Sequence, residues 1–282
     1  MADLSPYEQN AHREIDLFKN PPRSWLGDAW ETVNKPIQWV GDVAFDNPVG
    51  TAVTKAVAGI VSTLNDGASW SVRADAIYEE FRANGHAGVQ RASDLHHLDM
   101  GDVDKTVGYL AAKYKVMAGG EGAAAGMLGF PGIAIDIPAL VSLALRAVNE
   151  YATYYGFDVA LEHERAFAMS ILGAASSPTV ATKQVAMAEL TKLSVLIAQR
   201  KTWAELQRLI SVQVIKKIAQ ALGIRLTKAK LAQIVPLVGA GVGAGFNAWY
   251  VANVTVTAYH LYRERFLIEK YGPDLSIPVR ST

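Results

Sequence analysis

Two carboxylates stand in surroundings that favour chemistry: Glu121 within "GGEGAAAG" and Asp136 within "GFPGIAIDIPALVSLALRAV". Two acids brought together in an apolar setting can divide acid and base work, because burial keeps one protonated while the other stays ionised. A hydrolase acting on a lipid-like substrate would use such a pair, with Glu121 and Asp136 as its catalytic groups. Nothing in their spacing fixes how far apart they lie. Asp136 also has a structural reading. At the start of a helix following Pro131 and Gly132, free backbone N–H groups and the positive dipole end favour a carboxylate. Pro138 beside it suits a first helical turn, where a missing N–H costs nothing.

Further along the same helix Ser142, Arg146 and Glu150 recur at every fourth position, a polar stripe with an Arg–Glu pair. Asp136 and Arg146 would be about 15 Å apart along the axis, so they cannot bond within one helix. Arg146 therefore calls for a carboxylate from another segment, with Glu121 or Glu164 as suppliers.

Other chemistries find little support. The chain has no cysteine, which removes disulfides, thiol nucleophiles and zinc–thiolate sites. His12, His86, His96, His97, His163 and His260 show no metal-ligand spacing. His96 and His97 are adjacent, point to different sides of any regular element and suit a solvated linker. There is no nucleophile elbow, no phosphate loop and no dinucleotide fingerprint in context. Neither a metal nor a cofactor is expected.

Of 282 residues half are apolar and 19% are charged, against roughly 25% in an average soluble domain. Membrane contact or an unusually large buried fraction would explain that balance. Net charge is zero, yet it is unevenly spread. Residues 1–50 carry eight acids and four bases, whereas residues 183–230 carry ten bases and two acids. In "LISVQVIKKIAQALGI", Ile210, Val214, Ile218 and Leu222 recur every fourth residue while Lys216 and Lys217 face elsewhere. With Arg225, Lys228 and Lys230 these lysines suit anionic lipid headgroups, at about 1 kcal/mol per base near the surface. Nucleic acid is a poorer partner, since no recognition motif or interleaved aromatics accompany the bases.

Directly after the basic stretch, residues 231–262 contain no Asp, Glu, Lys or Arg. About 20 apolar residues span a bilayer core, so length permits a crossing. Gln233, Asn247, Asn253, Thr255, Thr257 and His260, with a middle rich in Gly and Ala, favour a buried helix instead. Gly239–Gly243, Gly241–Gly245 and Gly122–Gly126 are G-x-x-x-G pairs that bare the backbone for close helix contact. Each helical glycine costs about 1 kcal/mol relative to alanine, which tight packing must offset. If the two glycine-rich helices lined a cavity instead, the protein would carry an apolar ligand.

Around these segments the punctuation is helical. Pro21, Pro22, Pro36 and Pro48 break residues 1–50 into an arm pinned to the core by Trp25, Trp30 and Trp39. Amphipathic patterns predict helices over 51–64 and 71–82. Asp99 or Asp102 can cap a helix beginning "VDKTVGYLAAKYK" that runs on into the glycine-rich stretch. Helices follow over 133–155, ending at Gly156, then from 158 to before Pro178, then over 180–199, 202–222 and 231–270. The predicted fold is all-α: a multi-helix bundle around a central pair of glycine-rich apolar helices, with an arm (1–50) and a helical domain (51–282).

The segments "EGAAAGMLGFPGIAIDIPALVSLALRAVNEYATYYGFD", "IVPLVGAGVGAGFNAWYVANVTVTAYHLYRERFLIEKYG" and "YEQNAHREIDLFKNP" resemble the EcsC family. The likeness runs from Tyr7 to Gly272, with residues 65–100 outside it. It implies a bacterial, largely helical protein of an ABC-exporter-associated family, accessory to export or envelope function. The matching polar positions are Glu121, Asp136, Arg146, Tyr155, Asn247 and Arg263; Arg146, Glu150, Tyr155, Asn247 and Arg263 would form a ligand-binding or structural network. The start "MADLSPYEQNAHREIDLF" lacks a secretory pattern. Together these features predict a cytoplasmic protein, peripheral at the inner membrane, with anionic lipid or a membrane protein complex as partner.

Overall fold

In the computed structural model, residues 3–22, 55–60, 62, 72–126, 130–177, 180–200, 222, 226 and 243–280 are described. Among them all regular structure is helical and no strand occurs, so the fold is all-α.

Helix α1 (Pro6–Lys19) starts with a capping box. Ser5 Oγ accepts from Glu8 N at 3.2 Å, and Ser5 N donates to Glu8 Oε2 at 3.0 Å. Its inward face is Glu8, Ala11, Ile15 and Lys19, apolar in the middle and charged at both ends. Helix α2 (Ala74–Ala83) buries Ile77, Tyr78 and Phe81. A 3-10 turn (Ala92–His97) leads to Asp99, whose carboxylate accepts from Gly101 N at 2.7 Å and caps α3 (Met100–Val107). Of the two acids named as caps, Asp99 takes the role.

The single helix expected from there is two. Gly108, at φ 51°, ends α3 in a conformation that side chains resist, and the chain restarts as α4 (Leu110–Gly126). Helix α5 (Phe130–Tyr154) begins earlier than the sequence suggested, which puts Pro138 inside it. A methyl group on Gly59 would overlap the Pro138 ring, so the helical segment 55–60 crosses α5 at backbone distance there. Gly156, at φ 85°, stops the chain after α5 as expected.

Helices α6 (Glu162–Ala175), α7 (Val180–Ala198) and α8 (Gly243–Tyr271) complete the described body, followed by a 3-10 turn at Pro273–Leu275. Helix α8 has its most extensive contact with α4 and also packs on α5, α6, α1 and α7. Gly119 of α4 lies opposite Ala248 of α8. Gly239 and Gly241, on which much of the expected glycine-to-glycine contact rests, lie outside the described residues. So do Trp25, Trp30, Trp39, the helix over 202–221, and Lys216, Lys217, Arg225, Lys228 and Lys230. Among the described residues no helix is long and apolar enough to cross a membrane.

Candidate functional site

Helix α8 carries Arg263, Glu264 and Arg265 in succession. Neighbouring helical residues are about 100° apart, so three in a row sweep too wide an arc to share one solvent-facing stripe. All three are in fact buried. Each meets an opposite charge from a different part of the chain.

Arg263 points towards α3 and α1. Its Nε lies 3.0 Å from Asp104 Oδ2, an ion-pair contact without hydrogen-bond alignment, and its Nη1 donates to the exposed Glu14 at 2.8 Å. Asp104 also accepts from Tyr155 (2.5 Å, on Oδ1), Tyr7 (2.8 Å) and Tyr259 (3.3 Å, both on Oδ2). The guanidinium stands 4.6 Å from the Tyr259 ring centre. Helices α1 and α8 and the turn just after α5 thus meet on one carboxylate of α3.

Glu264 takes Lys19 of α1, whose Nζ lies 2.7 and 2.8 Å from the two carboxylate oxygens. Lys19 also donates to Thr191 Oγ1 at 2.5 Å and to the Ile277 carbonyl, and Glu264 Oε1 accepts from Ile277 N at 2.8 Å. Arg265 grips Glu164 of α6 with both terminal nitrogens, Nη2 to Oε1 at 2.6 Å, and its guanidinium lies 4.0 and 4.4 Å from the ring centres of Phe157 and Phe167. One helical turn on, Lys270 donates to Glu8 at 2.8 Å and to the Leu98 carbonyl at 2.7 Å, while Tyr271 donates to Glu8 at 2.6 Å.

Burial sets the electrostatics. It lifts Asp104 above the ordinary carboxylate range, against the pull of Arg263 and the tyrosine hydroxyls. Burial, with the Asp104 hydrogen bond next, pushes Tyr7 up to about 12; burial and then the Asp104 charge also raise Tyr155 and Tyr259. Burial opposes the Arg263 charge, but Asp104, Tyr259 and Glu14 more than offset it. Burial lowers Lys19 despite Glu264. For Glu8 burial works upward, yet the hydrogen bonds from Lys270 and Tyr271 bring it below its ordinary value. His96 and His260 are both driven down to about 4 by burial and are neutral at pH 7.

Asp104 accepts from three hydroxyls and lies against the Arg263 guanidinium. It ties elements together. Among the described residues no cluster of three His, Asp or Glu side chains could hold a metal ion.

The residues singled out from sequence divide between places. Tyr155 and Arg263 meet at Asp104. Arg146 turns to Glu150 on its own helix at 3.7 Å, and Lys113 of α4 reaches Glu150 at 2.9 Å. Glu164 belongs to Arg265, so it does not serve Arg146. Asp136 is not at a helix start, because α5 begins at Phe130; its Oδ1 accepts from Asn247 Nδ2 of α8 at 3.3 Å. Its bond is to another helix. Glu121 lies on α4, which packs on α5, and its side chain is outside the description. His96 is partly buried beside Phe157 and Phe266, with Nε2 3.1 Å from the Tyr155 carbonyl, while His97 keeps the solvated setting expected of both. Asp104, Tyr7, Glu14, Tyr259, Lys19 and Glu264 were not anticipated. The run Arg263–Glu264–Arg265 inside an otherwise uncharged stretch of helix is a sequence signal for buried partners, though it does not say which residues they are.

A helical body cross-tied by buried ion pairs is the class these features define. The chain belongs to the EcsC protein family, whose model matches residues 9–267. It is 30% identical over 152 residues to the uncharacterized protein YdbA of Bacillus subtilis, 53% of either chain. It is 26% identical over 179 residues to the protein EcsC of the same organism, covering 64% of this chain and 70% of that one. The match thus spans about half the length of YdbA. No solved structure matches significantly.

Proposed function

We propose that the protein is a peripheral membrane protein of the bacterial cytoplasmic leaflet, held by anionic lipid and accessory to an exporter or another envelope complex. The observation that carries the reading is the basic stretch 183–230, ten bases against two acids, immediately before the uncharged run 231–262. Bases beside an apolar segment are the order found at the cytoplasmic face of membranes. Each base near an anionic surface contributes about 1 kcal/mol, so a handful acting together suffices for reversible attachment.

Attachment of this kind is electrostatic and therefore screened by salt. In a fractionated bacterial host the protein is expected to sediment with membranes at low ionic strength and to be released by high salt or carbonate. Recovery wholly in the supernatant at low salt overturns the reading. Retention through both treatments overturns the peripheral part of it.

A further inference from the structure

Helix α4 is apolar on two opposite sides. Leu110, Tyr114 and Ala118 form its buried face. On the far side Tyr109, just before the helix, is 90% exposed and Val116 is 75% exposed, with Ala112 and Gly120 exposed in line with them and Met117 37% exposed beside them. Surface helices of soluble proteins normally turn charged or polar residues to that side. Lys113 and Lys115 project to either side of the Val116 line, since successive residues turn by about 100°. Residues 109–120 contain no Asp or Glu. Arg146 is exposed at the α5 edge of this face, and the acid there, Glu150, is buried and engaged by Lys113 and Arg146.

An apolar strip with lysines on both flanks has the chemistry of a lipid interface. Lys113 holds its ammonium on Glu150 and contributes its aliphatic stem to the edge of the strip, while the stem of Lys115 can lie along the acyl boundary with its ammonium reaching the phosphates. Tyr109 is of the type enriched at headgroup level. The positive flanks and the lack of acid along the strip favour an anionic lipid surface over a protein partner. We propose that the outward face of α4, centred on Val116 and bounded by Tyr109, Lys113, Lys115 and Met117, inserts shallowly into anionic membrane. This rests on the peripheral-membrane reading but places a contact on a helix distinct from the basic stretch.

The absence of native cysteine allows a direct test. The full chain carrying Val116→Cys, labelled with an environment-sensitive fluorophore, is mixed with vesicles of phosphatidylcholine containing phosphatidylglycerol, and sedimentation records the bound fraction. Leu17→Cys, at an exposed position on α1, is the reference. A blue shift with a several-fold intensity gain at position 116 and none at position 17 is the expected result. Protein that sediments with the vesicles while the label at 116 stays unchanged overturns this inference and leaves the membrane reading standing. A label already shielded without vesicles, and unaffected by them, shows that the chain itself covers the face and also overturns it. Failure of the unlabelled chain to sediment with anionic vesicles removes both readings. In an unlabelled Val116→Glu chain with unchanged circular dichroism, the bound fraction is expected to fall at least about fivefold, because a carboxylate is poorly accommodated at that depth. Unaltered binding by that variant contradicts the proposal.

Discussion

Helices α8 and α4 lie side by side and reverse the usual placement of residue types. The C-terminal half of α8 hides Arg263, Glu264 and Arg265 from water, whereas α4 and the turn before it hold Val116 and Tyr109 in it. The difference lies in whether a partner is present within the chain. Every hidden charge on α8 meets an opposite charge from α1, α3 or α6, so the sequence folds back onto that helix at several remote points. The exposed strip of α4 has no such internal counterpart among the described residues, and its inward face already supplies what the core needs. Internal ties and an outward-facing surface should respond differently to substitution.

The largest effect of any single substitution is expected at Arg265. Arg265→Met leaves Glu164 buried and uncompensated, which costs about 3–5 kcal/mol and lowers the urea midpoint accordingly. Adding Glu164→Leu should restore most of that loss, since a buried pair replaced by apolar residues is often nearly neutral. If the single variant unfolds at the wild-type midpoint, the pair is not a tie.

Acid should weaken the interior next. His96 and His260 have folded pKa values pushed down to about 4 by burial, against an ordinary 6.5. As pH falls below 6.5 the unfolded chain takes up protons that the folded chain refuses until about pH 4. Stability is therefore full above the ordinary value and lost across that window, by about 3 kcal/mol for each histidine. Urea titrations at a series of pH values measure the slope, and His260→Gln should remove about half of it. Asp104→Asn comes third, at about 2 kcal/mol, because Arg263 keeps Glu14 while losing a charged acceptor. A smaller loss than that would move the weight of the node from Asp104 to Glu14.

Gly156→Ala is expected to cost about 1–2 kcal/mol, for a side chain at positive φ. Its Cβ would also sit 2.7 Å from His96 Nε2. Thermal denaturation is sufficient to detect the change. At the small end, Val116→Ser should alter stability by no more than about 0.5 kcal/mol. A clear destabilisation there would mean that the outer face of α4 belongs to the core after all, and the contrast between the two helices would collapse.

What could be read in advance follows the range of the interaction. Local signals were legible: a cap at Asp99 or Asp102, of which Asp99 takes the role, Gly156 as a stop, and helices α5 to α7 to within a few residues. Each depends on neighbours close in sequence. Asp136 was misplaced because α5 begins at Phe130, with Pro131 in its first turn, where proline is tolerated, and Pro138 in its interior. The Asp104 node was not legible at all. Tyr7 and Asp104 are 97 residues apart and Glu14 and Arg263 are 249 apart, so no spacing rule connects them. Tyr155 and Arg263 entered through family likeness, which marked the positions without giving the carboxylate they share. The outer face of α4 escaped notice for another reason: its apolar residues merge with those of the inner face into a sequence that reads as buried throughout.

Membrane contact by the intact chain is the property on which the functional reading and the α4 contact both depend. Flotation with phosphatidylcholine vesicles, with and without phosphatidylglycerol and over a series of salt concentrations, measures it most directly. The predicted result is recovery with the anionic vesicles at low salt, declining as salt is raised, and little recovery with phosphatidylcholine alone. Equal recovery with both compositions, or none with either, contradicts the account.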